Sequence, residues 1–128
     1  MVVIQENHTT QVLDMQVIEE LLSFADDGDP ELLVDLIRMF LDDAPTKLAS
    51  IRQGLGNGDL ECMERAAHSL KGSSGNLGAR HLQNACEQMQ LASRNHQKAD
   101  LAKLTETIEA TFADAREALQ AVLSTHTH

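Results

Sequence analysis

The chain has 128 residues, with 10 Lys and Arg set against 20 Asp and Glu, a formal net charge of −10. That is one domain's length, with enough chain to bury a core without disulfides or a structural metal. The acidic balance opposes binding to phosphate backbones and anionic lipid, whose affinity comes from Lys and Arg, and three Phe with no Trp or Tyr leave no stacking platform for single-stranded nucleic acid.

Residues 1–12 are polar apart from Val2-Val3-Ile4 and show no sustained period, which predicts a flexible arm. The triplet has neither a basic flank nor the length of a signal sequence, and no stretch approaches the roughly 20 apolar residues needed to span a bilayer. A bundle domain is expected over 13–124. Asp14 is a good N-cap for a short helix carrying Val17, Ile18, Leu21 and Leu22, with Leu13 and Ile18 placed as a hydrophobic staple. Asp26-Asp27-Gly28 ends it. Asp29-Pro30-Glu31 then supplies an N-cap, an N1 proline and a first-turn acid for a second helix. Its stripe is Leu33, Leu36, Ile37, Phe40, Ala44, Leu48, Ile51 and Leu55, at threes and fours, and Pro45 within it predicts a kink or brief interruption.

Gly56-Asn57-Gly58 is a turn, and Asp59 caps a third helix running from Leu60 into the Gly- and Ser-rich segment 72–78. A fourth spans roughly Ala79 to Asn95, with Leu82, Ala85, Cys86, Met89 and Ala92 on one side. The last begins near Asp100 and carries Leu101, Leu104, Ile108, Phe112, Ala115, Leu119 and Val122 over about six turns. Thr125-His126-Thr127-His128 reads as a frayed C-terminus rather than a metal site. Nothing alternates with period two over strand length. The fold class is therefore all-α: an antiparallel four-helix bundle with a short additional N-terminal helix. Cys62 and Cys86 both fall on apolar faces as small hydrophobes, which fits a reducing cytoplasm.

On a wheel, the third helix gathers Cys62, Met63, Ala66, Ala67, Leu70, Ser73, Ser74 and Leu77 into a core arc. His68 lies roughly 160° from the centre of that arc and should face solvent, with Glu64, Arg65, Lys71, Gly72 and Gly75 around it. An exposed His is ordinarily just a solvated side chain; here two glycines stand one and two turns beyond it, each costing on the order of 1 kcal/mol inside a helix. Either the helix ends near Gly72, with the glycines as cap and loop, or bare backbone lets another protein approach the imidazole. Lys71, three residues on, could neutralise an incoming phosphoryl group. An exposed imidazole is mostly neutral and nucleophilic at neutral pH, provided its other nitrogen is held as a donor. On the fourth helix Gln83, Glu87, Gln90 and Arg94 gather on a flank beside the apolar arc, where a Gln could accept from that N–H.

The run Ala67-His68-Ser69-Leu70-Lys71-Gly72-Ser73-Ser74-Gly75-Asn76-Leu77-Gly78-Ala79 resembles the signature of histidine-containing phosphotransfer domains, the HPt family. Every element of that signature has its counterpart, and the likeness extends from Leu13 to about Leu123. The resemblance implies that His68 accepts a phosphoryl group from a receiver domain's aspartyl phosphate and passes it to another receiver's aspartate. It makes Lys71 the charge-stabilising lysine, Gly72 the close-approach glycine, Gln90 the residue that orients the ring and Arg94 a basic residue found in some members. Ser69 fills a tolerant position. It further implies a phosphocarrier without autonomous catalysis or bound cofactor, since Mg²⁺ and the acidic pocket come with the receiver.

Partner contacts are expected from Arg65, Ser69, Gly72, Gly75 and Arg94, with an apolar patch nearby, on receiver domains of response regulators or a hybrid sensor kinase. A monomer is expected, because the face around His68 must stay open and no second apolar stripe is present. Two other readings compete. A metal-binding bundle needs inward-facing Glu-x-x-His pairs, whereas Glu64 and His68 stand four apart on the outer face. A docking module would keep the bundle and bind a receiver or kinase without transferring anything.

Overall fold

A computed structural model describes residues 12–24 and 29–127. Among the described residues there are five helices: α1 (Met15–Ser23), α2 (Glu31–Asn57), α3 (Leu60–Asn76), α4 (Arg80–Arg94) and α5 (Lys98–His126). No strand occurs among the described residues, and no helix there is long and apolar enough to cross a membrane. Helices α2 to α5 pack as a closed ring in which each touches the next and α5 returns to α2, while α1 lies against α2. The connections between them are two or three residues long, so successive helices run antiparallel. The expected four-helix bundle with a short leading helix is the fold.

The apolar stripes predicted from the helical period fill the core. Leu33, Ile37, Phe40, Ala44 and Ile51 of α2, Leu82, Ala85, Cys86, Met89 and Ala92 of α4, and Leu101, Ile108, Phe112, Ala115, Leu119 and Val122 of α5 are all buried. Leu36, Leu48, Leu55 and Leu104 pack at its margin. Phe40 and Phe112 meet with ring centroids 6.0 Å apart, tying α2 to α5. Positions outside the predicted stripes also join the core. Val34 and Ala118 widen their stripes. Thr105 can be buried because its hydroxyl donates to the Leu101 carbonyl at 2.8 Å. Gly54 is buried where an added Cβ would sit 2.7 Å from Met63 Cγ, so α2 and α3 approach closely there.

Local starts and stops follow side-chain chemistry. The Asp14 carboxylate accepts from Gln16 N–H at 3.1 Å and the Asp59 carboxylate from Cys62 N–H at 3.0 Å, each capping its helix as expected. Leu13 and Ile18 are both buried, as the staple requires. Gly58, with φ +68°, ends α2 in the left-handed region and donates to the Gly54 carbonyl. Two expectations need correcting. Asp29 accepts from Glu31 N–H at 3.0 Å, yet Pro30 occupies the N-cap position rather than N1. Pro45 does not interrupt α2, which is continuous from Glu31 to Asn57. The proline lies on the exposed side, where water can take the hydrogen bond it cannot make, and the buried stripe on the opposite face holds the helix together.

Of the segment expected as an arm, Val12 is described and is buried in the core; the remainder, the break at Asp26-Asp27-Gly28 and His128 lie outside the described residues. Helix α5 runs to His126, two residues into the segment expected to fray.

Candidate functional site on the seam between α3 and α4

Helix α3 does not end at Gly72. It continues through Gly72 and Gly75 to Asn76, which removes the reading of those glycines as cap and loop. Its inner face sets the small Ala66, Ala67 and Ser74 among the larger Met63, Leu70 and Leu77, all buried, with Cys62 and Ser73 half-buried. Ser74 is tolerated there because its hydroxyl donates to the Lys71 carbonyl at 3.1 Å, and Ser73 bonds back to Leu70 at 3.2 Å in the same way. Short side chains let α3 pack tightly against both neighbours, and α3 with α4 is the most extensive helix pair in the molecule.

Along that seam the polar side chains are matched across the two helices. Glu64 Oε1 accepts from Arg94 Nε at 3.1 Å. The His68 Nδ1 and Gln90 Nε2 atoms are 3.0 Å apart. Lys71 Nζ stands 3.7 Å from Glu87 Oε1. Gly75 is covered by Gln83, whose amide nitrogen lies 2.6 Å from the point where a Cβ would be. Steps of four, three and four residues up α3 are answered by the same steps down α4, as antiparallel helices in constant register require.

His68 is exposed as expected, and its ring is oriented all the same. It lies with Glu64, Arg65, Gln90 and Arg94 around a shallow depression of about 470 Å³. Lys71 is not among the lining residues; it is held further along the seam by Glu87. Arg65 pairs with Glu61 one turn back on its own helix at 2.9 Å. These ion pairs are solvent-exposed, of the kind worth about 0–1 kcal/mol, so they position the cations without locking them. Ser69 is exposed beside His68.

The two glycines separate. An added Cβ at Gly72 would meet nothing within 4 Å, so this turn of α3 presents bare, open backbone. At Gly75 the space a Cβ would take is filled from within by Gln83. Between α2 and α3 a groove of about 590 Å³ has an apolar floor of Leu36, Met39, Phe40 and Leu77 and a polar rim of Asp42, Asp43, Ser73 and Asn76, and Met39 is 65% exposed. Along α3, Gly72 falls between His68 and the groove. Among the described residues no group of three or more His, Cys, Asp and Glu is placed to hold a metal, and Glu64 is engaged with Arg94.

The residues missed from sequence are the acids. Glu64 and Glu87 were visible as members of polar flanks, but their pairing with Arg94 and Lys71 was not. The matched four-three-four spacing of the two helices was the available signal.

The Hpt domain family profile matches residues 35–124. The chain belongs to the Hpt domain family. Curated relatives of this Hpt domain include Multistep phosphorelay regulator 1 of Schizosaccharomyces pombe, 31% identical over 80 residues, which cover 62% of this chain and 27% of that protein. Histidine-containing phosphotransfer protein 1 of Oryza sativa subsp. japonica is 26% identical over 114 residues, covering 88% of this chain and 77% of that one. Among solved structures, histidine-containing phosphotransfer protein B from Pseudomonas aeruginosa PAO1 superposes with a TM-score of 0.81 at 28% identity, covering 89% of this chain and 96% of that one. The Hpt domain described here thus spans about a quarter of the S. pombe regulator's length and nearly all of the Pseudomonas protein's.

Proposed function

We propose that this Hpt domain is a phosphocarrier that relays a phosphoryl group between receiver-domain aspartates, with His68 as the acceptor. The observation that carries the reading is the Gln90 contact to His68 Nδ1 at 3.0 Å on an exposed ring, which leaves Nε2 as the free nitrogen. The Nε2 lone pair attacks the phosphorus of an aspartyl phosphate; the N–P bond forms as the P–O bond breaks, and the aspartate carboxylate leaves with the electron pair. The nitrogen and oxygen of the Gln90 amide are interchangeable in position, and with Oε1 turned to the ring Nδ1 carries the proton and donates it to that oxygen, so no proton has to leave Nε2. The ring becomes cationic on bonding to phosphorus, so its Nδ1–H needs an acceptor. Gln90 Oε1 is that acceptor before and after transfer, and it holds the proton more strongly once the ring is charged. Return transfer reverses each step.

Lys71 and Arg94 are the cations available to the phosphoryl oxygens. The receiver supplies Mg²⁺ and the acidic pocket, so the Hpt domain itself contributes nucleophile, orientation and charge but no autonomous catalysis. The bare backbone at Gly72 allows close approach to the ring, and the apolar floor of the groove beside it offers a contact surface for a receiver or a hybrid kinase, with Arg65, Ser69 and Arg94 at the rim of the His68 depression. The chain acts as a monomer, with this face open.

The test is transfer from a labelled, phosphorylated receiver domain to the wild-type chain and to His68→Gln. Acid-labile, base-stable label on the wild type alone is the expected result. Binding without label on either protein would replace the phosphocarrier with a docking module.

A further inference from the structure

The rung formed by His68 and Gln90 is bracketed by two ion pairs of opposite polarity. On one side the acid is on α3 and the cation on α4, Glu64 with Arg94; on the other the cation is on α3 and the acid on α4, Lys71 with Glu87. Lys71 and Arg94, the cations that flank this rung, are therefore each held by a carboxylate of the facing helix, and these four charges cancel. Resting on the reading of His68 as acceptor, we infer that Glu64 and Glu87 are positioning residues that exchange their cations with the phosphoryl group.

A phosphoryl group on Nε2 brings roughly two negative charges into the seam. Its three oxygens accept more strongly and in more directions than a carboxylate edge, and both glutamates then repel it. Lys71 is one-third exposed and Arg94 just over half exposed, so both have room to move. The cations swing from carboxylate to phosphoryl oxygens while the N–P bond is present, and return when it breaks. No bond other than N–P and P–O changes, and no proton is transferred by the glutamates. Their effect is on the balance of the relay. By competing for Lys71 and Arg94 they keep phospho-His68 from becoming so stable that the next aspartate cannot take the group, and they hold the cations along the seam before it arrives.

The experiment compares the wild type with Glu64→Gln, Glu87→Gln and the double variant, measuring the equilibrium distribution of label between the chain and a fixed receiver, and the half-life of phospho-His68 after the receiver is removed. Each single variant should shift the equilibrium toward the phosphorylated chain by about two- to fivefold, the scale of one exposed ion pair, and lengthen the half-life. Glu87→Gln should have a smaller effect when Lys71 is already Gln, since only the direct repulsion is then removed. Glu109→Gln, which removes the cross-helix pair with Arg52 between α2 and α5, tests for a merely structural role and should leave both readouts unchanged. Unchanged or shortened half-lives in the double variant, or equal shifts in Glu109→Gln, would overturn the inference. Label on His68→Gln would overturn the acceptor assignment instead.

Discussion

The His68 ring and the Gln90 amide meet at 3.0 Å although 22 residues separate them in the chain. The contact occupies Nδ1 of an otherwise solvent-facing ring, and in the proposed relay Nε2 is the nitrogen that reacts. Replacing Gln90 by Leu removes the acceptor that the cationic phospho-imidazole needs. The transfer rate should fall about tenfold, the worth of one hydrogen bond to a charged group, whereas Gln90→Glu, which still accepts from Nδ1–H, should retain most of it. Stopped-flow transfer assays distinguish the two, and wild-type rates in Gln90→Leu would remove Gln90 from the mechanism.

Gly72 leaves a turn of α3 bare inside the helix, where glycine costs stability. Because an added Cβ there meets nothing, Gly72→Ala should stabilise the fold by about 0.5–1 kcal/mol in a denaturant titration, as expected for a helix interior. A larger side chain at the same place, Gly72→Leu, should lower receiver affinity and transfer rate without loss of stability. Equal affinity for Gly72→Leu and wild type would show that no partner approaches this turn.

Gly75 and Gly78 should answer alanine differently from each other. At Gly75 the obstruction is the end of the flexible Gln83 side chain, which can turn away, so Gly75→Ala should change stability by no more than about 0.5 kcal/mol. Gly78 has φ +74°, its carbonyl accepts from Asp14 N–H at 2.7 Å, and its missing Cβ would lie 2.8 Å from the Asp14 carbonyl oxygen. Gly78→Ala meets both backbone strain and an immovable neighbour and should cost about 2 kcal/mol or more. Thermal unfolding of the two variants side by side is the measurement.

The two thiols should react at different rates. Cys62 is half-buried with its Sγ 3.6 Å from the Ser50 carbonyl, while Cys86 is fully buried and burial pushes its thiol up to about 12. A thiol reagent should modify Cys62 in the native protein and reach Cys86 only through unfolding. Because the folded value lies above the ordinary one near 9, the stability that the protonated Cys86 contributes is complete below about 9 and is lost as pH rises toward about 12. The stability difference between wild type and Cys86→Ala should narrow over that window.

Sequence periodicity alone determined the five helices, most of their core stripes and the solvent-facing place of His68, because the rise and turn of a helix are local and each stripe repeats every three or four residues. The caps at Asp14 and Asp59 were legible for the same reason: a carboxylate reaches only the next two or three amides. The run from Ala67 to Ala79 marked the family. Tertiary structure decided what depends on register between helices. It set Gln90, which the resemblance had already singled out, against His68, drew Lys71 to Glu87, and gave Gly72 and Gly75 different surroundings. It also carried α2 through Pro45, where burial of one face outweighs a missing hydrogen bond on the other. No single helix contains that information, since the offset between α3 and α4 is set by how their small inner residues pack.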